Sequence, residues 1–273
     1  FHELAGKIEV ATILGTLQSC LTDFRYLSSK WKANCEEERL LGVSLTGIYD
    51  SKFLLGATPN ELLKLKQVAI DTNVEWAKKL KINASTAITC VKPSGSVSQL
   101  VDSASGIHPR YARTYWRRIR NDNKDPITAA LIEAGVPHEP DLYNSEATVF
   151  TFAKSAPRSA VVTDDIDAIA HLEQWKYFAK FWCEHKPSVT ISVSESEWPE
   201  VGAWCWKNFD ILSGVSFLPK EDDAHTYQQA PYERCTAEEF KAYPKLEPVT
   251  WDEVEESLDK QTEFACSAGV CEI

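Results

Sequence analysis

Apolar positions recur at helical spacing in several stretches of the chain. The clearest stretch begins at Thr58, where a threonine N-cap, a proline at the first helical position and Glu61 form the pattern of a capping box. An apolar stripe then continues to about Lys81. The same reasoning predicts three further helices, over 1–24, from Asp125-Pro126 to Gly135, and over about 165–185.

Short β-rich runs lie between these helices, at 86–91, 148–153, 188–193 and 214–218. Strands that alternate with helices predict parallel pairing and an α/β architecture. The pattern alone does not distinguish an open sheet from a barrel. After residue 233 the chain becomes rich in Glu, Lys and Pro, and 261–273 have no periodicity, which predicts a flexible C-terminal tail.

The composition excludes several classes of protein. Of the 273 residues 44% are hydrophobic, which is enough for a sizeable core. No apolar run approaches the roughly 18 residues that a membrane span needs. The net charge of −11 argues against a nucleic-acid-binding protein, because such proteins bind mainly through cationic surface. Scattered cysteines and the lack of a signal peptide predict a soluble cytoplasmic protein.

One segment carries the strongest chemical signal, the loop that follows the β-rich run ending at Val91. Pro93, Ser94, Gly95, Ser96 and Val97 form a turn that leads into a short apolar-patterned stretch. Backbone amides and hydroxyls collected at such a turn can bind phosphate. The loop lacks the Gly-Lys-Ser/Thr ending of a P-loop, and without its flanks it would be read as an ordinary strand-to-helix turn.

A cluster of basic residues follows the loop, unexpected in so acidic a chain. Arginine can bind phosphate through two parallel hydrogen bonds, but most of these side chains are expected to pair with the many carboxylates of the chain. The cluster consists of Arg110, Arg113, Arg117, Arg118 and Arg120.

Three segments together resemble the class II ribonucleotide reductases, most closely the adenosylcobalamin-dependent ribonucleoside-triphosphate reductases. They are 91–120, which contains the loop and the arginines, 41–47 (LGVSLTG) and 212–233 (LSGVSFLPKEDDAHTYQQAPYE). The resemblance covers nearly the whole chain but only the C-terminal part of the family's length. It implies the second half of a ten-stranded α/β barrel over 1–233, followed by a tail over 234–273.

The resemblance also implies an activity, the reduction of ribonucleoside triphosphates to deoxyribonucleotides by thiyl-radical chemistry with adenosylcobalamin as cofactor. The loop at 93–97 would bind the substrate phosphates. The family's radical cysteine lies on a loop with an Asn-Pro-Cys-x-Glu-like motif, which this sequence lacks. The sequence also contains no methionine, and Phe1 reads as the middle of a protein. We therefore expect the radical cysteine on a missing N-terminal part, without which this chain is inactive.

Two cysteines near the end of the sequence, Cys266 and Cys271, are separated by four small or flexible residues. Such a pair can close a low-strain disulfide, and its position in a tail allows it to move. A zinc site would need two further Cys or His ligands at close spacing, and none follows. In the family that the sequence resembles, tail cysteines reduce the active-site disulfide and are then reduced by thioredoxin.

Two further residues are predicted as neighbours of the active site. Cys90 ends a predicted strand three residues before the loop, and His108 lies in a Gly-Ile-His-Pro segment shortly after it. A histidine next to proline in a loop is more often structural than catalytic. Of the other cysteines, Cys20, Cys183 and Cys205 are predicted to be small core residues.

Two alternatives remain open at this stage. One is a fragment of a class I reductase, whose radical comes from a metal-containing partner subunit and which does not depend on cobalamin. The other is a stand-alone nucleotide-binding or thiol-transfer module descended from a reductase, which would fold and bind nucleotide without any upstream segment.

Overall fold

The computed structural model describes residues 1–220 and 228–249. Both helices and strands occur throughout this part of the chain. The helices are α1 (His2–Gln18), α2 (Ser29–Glu38), α3 (Lys52–Gly56), α4 (Pro59–Leu80), α5 (Val97–Leu100), α6 (Pro126–Glu133), α7 (Ala168–Phe181), α8 (Trp198–Lys207) and α9 (Ala237–Ala242). The strands are β1 (Val43–Ser44), β2 (Thr89–Cys90), β3 (Thr114–Asp122), β4 (His138–Pro140), β5 (Ala147–Ser155), β6 (Val189–Val193), β7 (Val215–Pro219) and β8 (Tyr232–Arg234). The predicted α/β class is confirmed.

The chain folds into two compact units. The first comprises 1–110 and 159–220, and the described residues of the second are 111–158 and 228–249. Within the first unit β1 pairs with β2 and β6 pairs with β7, both in parallel. Ser188 donates its N–H to the carbonyl of Val91 at 3.2 Å, so the start of β6 adjoins the end of β2. Parallel pairing, predicted from the alternation of strands and helices, is confirmed in this unit.

Local sequence signals set the helices of the first unit. In α4 the Thr58 hydroxyl accepts the N–H of Glu61, and the Glu61 carboxylate accepts the N–H of Thr58, which completes the predicted capping box. In α7 the Asp167 carboxylate caps the helix, two residues after the predicted start. Leu62, Leu65 and other apolar side chains of α4 then enter a core that α7 and the parallel strands also line.

The first helix buries a face that contains two threonines besides Ile8. Thr12 and Thr16 are buried against α4, and each hydroxyl donates to the carbonyl four residues earlier, at 2.7 Å. The amide of Asn73 in α4 donates to the Thr16 hydroxyl. Leu14 and Leu17, which share the apolar helical spacing of this segment, are exposed. Hydrogen-bonded threonines can occupy a helix interface, so a pattern of apolar residues alone does not predict this buried face.

The second unit is built on an antiparallel sheet with strand order β4-β5-β3-β8. Strands β3 and β5 pair along nine residues, from Thr114 opposite Ser155 to Asp122 opposite Ala147. The sequence therefore placed a strand correctly near 148–153, but its implied parallel pairing is wrong. Leu246 and Val249, from the start of the predicted tail, pack on a small core around Phe150. Residues 250–273 lie outside the described part of the chain.

Candidate phosphate-binding site

The loop at 93–97 connects β2 to the single turn of α5, as the sequence predicted. Its conformation is fixed from inside by two serines. The Ser94 hydroxyl accepts the N–H of Ser98 at 2.8 Å, and the Ser98 hydroxyl donates to the Ser94 carbonyl at 2.6 Å. Ser98 is fully buried. Sequence analysis did not identify it, although its spacing of four residues from Ser94 is what the reciprocal contact requires.

Three consecutive amides of this loop are left without a protein acceptor. Within 1–220 and 228–249, the N–H groups of Gly95, Ser96 and Val97 donate no hydrogen bond, and all three residues are exposed. A Cβ placed on Gly95 would meet no heavy atom within 4 Å, so open space adjoins the loop. Successive unpaired amides form a concave, partially positive surface that suits an anion. The exposed Lys92 adds a cationic side chain next to it.

A second loop, 102–108, supports the first. Ser105 accepts the N–H of Ser94 on its hydroxyl oxygen at 2.7 Å. Gly106 has φ of +54°, and a Cβ there would lie 2.7 Å from the carbonyl oxygen of Lys92. The two loops approach so closely at this point that only glycine fits.

His108 occupies a structural position in this second loop. Its Nδ1 lies 3.0 Å from the carbonyl oxygen of Ser105, and its Nε2 accepts the N–H of Thr190 in β6 at 2.9 Å. Because Nε2 accepts, the proton of the neutral ring is assigned to Nδ1, which donates to Ser105. Burial lowers the pKa of His108 and so favours this neutral form. Its role as a neighbour of the active site stays a prediction.

Cys90 ends β2 as predicted and is 1% exposed. Burial is the largest cause of a raised pKa for its thiol, so the thiol stays protonated near neutral pH. A protonated, enclosed thiol is a poor nucleophile. The proximity of Cys90 to the reacting groups stays a prediction.

Arg110 is the member of the arginine cluster that belongs to the first unit. It is 5% exposed and pairs with Asp50 at 2.8 Å and with Asp102 at 3.2 Å. In the second unit Arg118 pairs with Glu233, and Arg120 pairs with Asp141. Pairing with carboxylates, which the sequence favoured for most of the cluster, is observed for all three arginines.

The redox pair, metal binding and membrane association are the remaining features to compare with the prediction. Cys266 and Cys271 lie outside the described residues, so the redox pair stays a prediction. Among the residues that are described, no group of three or more His, Cys, Asp or Glu side chains is arranged to bind a metal ion. None of the helices in 1–220 and 228–249 has the length and apolarity to cross a bilayer.

Comparison with known proteins identifies relatives of the chain, although no protein-family model matches it. It is 28% identical over 225 residues to the adenosylcobalamin-dependent ribonucleoside-triphosphate reductase of Lactobacillus delbrueckii subsp. bulgaricus. It is 27% identical over 220 residues to the protein of the same name from Euglena gracilis. Each alignment covers 77% of this chain and 30% of the relative.

The fold agrees with the sequence comparison. A crystal structure of a B12-dependent (class II) ribonucleotide reductase superposes with a TM-score of 0.74 at 20% identity, covering 95% of this chain and 40% of that one. The resemblance predicted from the three sequence segments is thereby confirmed. This chain is similar in sequence to the adenosylcobalamin-dependent ribonucleoside-triphosphate reductases and in fold to a class II ribonucleotide reductase, and it spans about 30% of the length of the relatives that it matches.

Proposed function

We propose that this chain forms part of a ribonucleotide reductase that converts ribonucleoside triphosphates to deoxyribonucleoside triphosphates. The observation that carries the proposal is the exposed run of unpaired amides at Gly95, Ser96 and Val97, in a chain whose relatives are ribonucleoside-triphosphate reductases. These amides, with the neighbouring hydroxyls, would bind the phosphates of the substrate.

The electrostatic setting supports a phosphate at this loop. Aligned amides bind an anion without a full positive charge, so no counter-charge is left buried when the substrate departs. The amides require no rearrangement of the turn, because the bonds between Ser94 and Ser98 already hold it. A pre-formed site loses less conformational entropy when it binds its ligand.

The reduction itself needs two electrons. The C2′ hydroxyl of the substrate leaves as water, and a cysteine pair supplies the electrons as it is oxidised to a disulfide. We assign the regeneration of that pair to Cys266 and Cys271, by thiol–disulfide exchange in which the tail pair becomes the disulfide. Thioredoxin would then reduce the tail. The four small or flexible residues between the two cysteines, which allow a low-strain disulfide, support this assignment.

The active-site cysteine pair and the radical cysteine are proposed to lie on polypeptide outside this sequence, in the N-terminal part of the complete reductase. Residues 1–233 would supply part of an α/β barrel wall. The parallel pairs β1-β2 and β6-β7, joined through Val91 and Ser188, support this role. We propose the cytoplasm as the location, where thiols are kept reduced.

Adenosylcobalamin is named as the cofactor of the relatives, and we propose that the complete enzyme uses it to generate its radical. Two large aromatic side chains of the first unit are enclosed by protein. Trp175 and Trp182 are fully buried and donate their indole N–H groups to the carbonyls of Pro187 and Cys90. Neither indole is therefore available to a corrinoid, and we assign no residue of this chain to the cofactor.

The proposal is tested by joining the chain to the N-terminal part of a relative and measuring deoxynucleotide formation from CTP. We expect turnover that depends on adenosylcobalamin. Changing both Cys266 and Cys271 to Ser should abolish turnover with thioredoxin but preserve it with a small dithiol. Changing Cys35 to Ser is the matched control, and it should change turnover neither with thioredoxin nor with the small dithiol.

Two results would contradict the proposal. A folded hybrid that binds CTP but forms no deoxynucleotide would favour a stand-alone nucleotide-binding module. Turnover without cobalamin would place the chain with reductases that obtain their radical from another source.

A further inference from the structure

We infer that Ser105 is a positioning residue for the phosphate loop, and that a buried ion pair between Arg110 and Asp50 holds Ser105 in place. The inference rests on the proposed function of the loop. It extends that function to residues that do not touch the substrate.

The first step is the contact between the loops. The hydroxyl oxygen of Ser105 accepts the N–H of Ser94 at 2.7 Å. Ser94 also caps Ser98, so its backbone and its side chain are both held. The turn is therefore fixed at the residue immediately before the three unpaired amides. Loss of the Ser105 hydroxyl would release the amide of Ser94 and allow the turn to rotate.

The second step is the anchoring of Ser105 itself. Its carbonyl accepts the backbone N–H of His108 at 2.9 Å and lies 3.0 Å from the ring Nδ1 of the same residue. The preceding residue, Ala104, donates its N–H to Oδ2 of Asp50 at 2.7 Å. The carbonyl of Ala104 accepts the N–H of Gly47 at 2.7 Å. Ser105 thus lies in a segment held on both sides, and its hydroxyl is placed with little freedom.

The third step is the ion pair. The Nε of Arg110 lies 3.1 Å from both carboxylate oxygens of Asp50, and its Nη2 lies 2.8 Å from Oδ2. The same guanidinium bonds to the side chain and the carbonyl of Asp102. The planar guanidinium of Arg110 therefore holds the Asp50 carboxylate in a fixed orientation. The Asp50 oxygen that holds Ala104 is one that Arg110 also contacts.

This arrangement differs from a network that only stabilises the fold. Ser105 is half-buried and contributes one hydroxyl, so its removal should leave the rest of the unit folded. Its effect should fall on the Ser94 amide and on the anion that the neighbouring amides bind. Both can be observed separately from the stability of the chain.

The experiment uses the full chain and inorganic tripolyphosphate as the probe. Hydrogen exchange of the Ser94 amide and the tripolyphosphate-induced shift of the Gly95 amide are measured by NMR for wild type and for S105A. Ser103→Ala is the matched control, since Ser103 lies in the same loop and its hydroxyl does not contact Ser94. Ser105→Thr keeps the acceptor oxygen, and Ser105→Cys keeps the shape with a weaker acceptor.

We expect S105A to accelerate exchange at Ser94 and to weaken tripolyphosphate binding by about tenfold, the effect of losing one hydrogen bond. Ser103→Ala and Ser105→Thr should show the exchange rate and the tripolyphosphate affinity of wild type. Ser105→Cys should give values of both between those of wild type and S105A. If S105A does not fold, the contrast between the Thr and Cys variants decides the matter. Equal binding by those two variants would then overturn the inference.

The failure of the inference and the failure of the proposed function give different results. If S105A binds tripolyphosphate as tightly as wild type and hydrogen exchange at Ser94 is unchanged, the positioning role of Ser105 is overturned. The phosphate-binding role of the loop then still stands. Absence of tripolyphosphate binding in the wild type overturns the phosphate loop, and with it any role of Ser105 in positioning it.

Discussion

Arg110 and Asp50, sixty positions apart in the sequence, form an ion pair in which the arginine is 5% exposed and the aspartate side chain 16% exposed. Two bonds from Nε and one from Nη2 reach the carboxylate. Both groups lose most of their hydration, and hydrogen bonds replace it. Besides the bonds within the pair, Asp50 accepts the N–H of Ala104, and Arg110 donates to Asp102.

Replacement of Arg110 by methionine should therefore destabilise the chain strongly. The change leaves Asp50 buried without its partner, at a cost of roughly 3 kcal/mol in the free energy of unfolding. Urea denaturation of both proteins measures this cost. Arg25→Met is the control, because Arg25 and Asp23 form an exposed pair that contributes little. Equal midpoints for the two variants would show that the buried pair does not stabilise the fold.

Gly106→Ala tests the close approach of the two loops. The new Cβ would lie 2.7 Å from the carbonyl oxygen of Lys92, on a backbone with positive φ, so we expect a loss of roughly 2 kcal/mol or more. Gly95→Ala is the matched control in the neighbouring loop, where a Cβ meets nothing within 4 Å. Thermal unfolding compares the two. A Gly106→Ala protein as stable as Gly95→Ala would mean that the loops can separate without cost.

Local signals in the sequence were sufficient for the starts of α4 and α6 and for several strands. The capping box at Thr58 and Glu61 formed as predicted, because each bond joins residues three apart. Asp125 caps α6 with its carboxylate, which accepts the N–H of Ile127 two residues later. Such contacts depend only on neighbouring residues, so the sequence specifies them directly.

Contacts between distant residues could not be predicted in this way. Residues 116–120 (WRRIR) alternate in a way that is compatible with a strand or a helix, and only the structure shows that they belong to β3 and pair with β5. Ser105 and Arg110 gave no local signal, since their partners lie eleven and sixty residues away. Cys20 was predicted to be buried because of its apolar neighbours, yet it is exposed just beyond the end of α1.

His171 should make the stability of the chain depend on pH. Burial lowers its pKa to about 4, and its Nε2 lies 2.8 Å from the carbonyl oxygen of Ile107. The rings of Tyr49 and His108 face it at 5.6 and 6.1 Å between centroids. Between the folded pKa and the unfolded value near 6.5, the unfolded chain binds more protons, so stability rises with pH across this window.

We expect the neutral His171 ring to contribute about 3 kcal/mol to the free energy of unfolding. This contribution is fully present above pH 6.5 and is lost as the pH falls towards 4. Urea denaturation at a series of pH values measures it. His171→Gln keeps a donor but does not titrate, so its stability should vary less across the window. His2→Gln changes an exposed histidine and should leave the wild-type dependence unaltered. If the free energy of unfolding of His171→Gln varied with pH as steeply as that of wild type, His171 would be ruled out as the origin of the pH dependence.

The proposed redox role of the tail predicts how the cysteines differ in reactivity. Burial raises the pKa of Cys183 to about 12 and also raises that of Cys90, so both thiols should resist alkylation at pH 8 until the chain is unfolded. Exposed Cys20 should react at once and serves as the internal control. After mild oxidation, mass spectrometry should find a disulfide between Cys266 and Cys271. A disulfide that forms elsewhere while these two remain reduced would contradict the tail's proposed role.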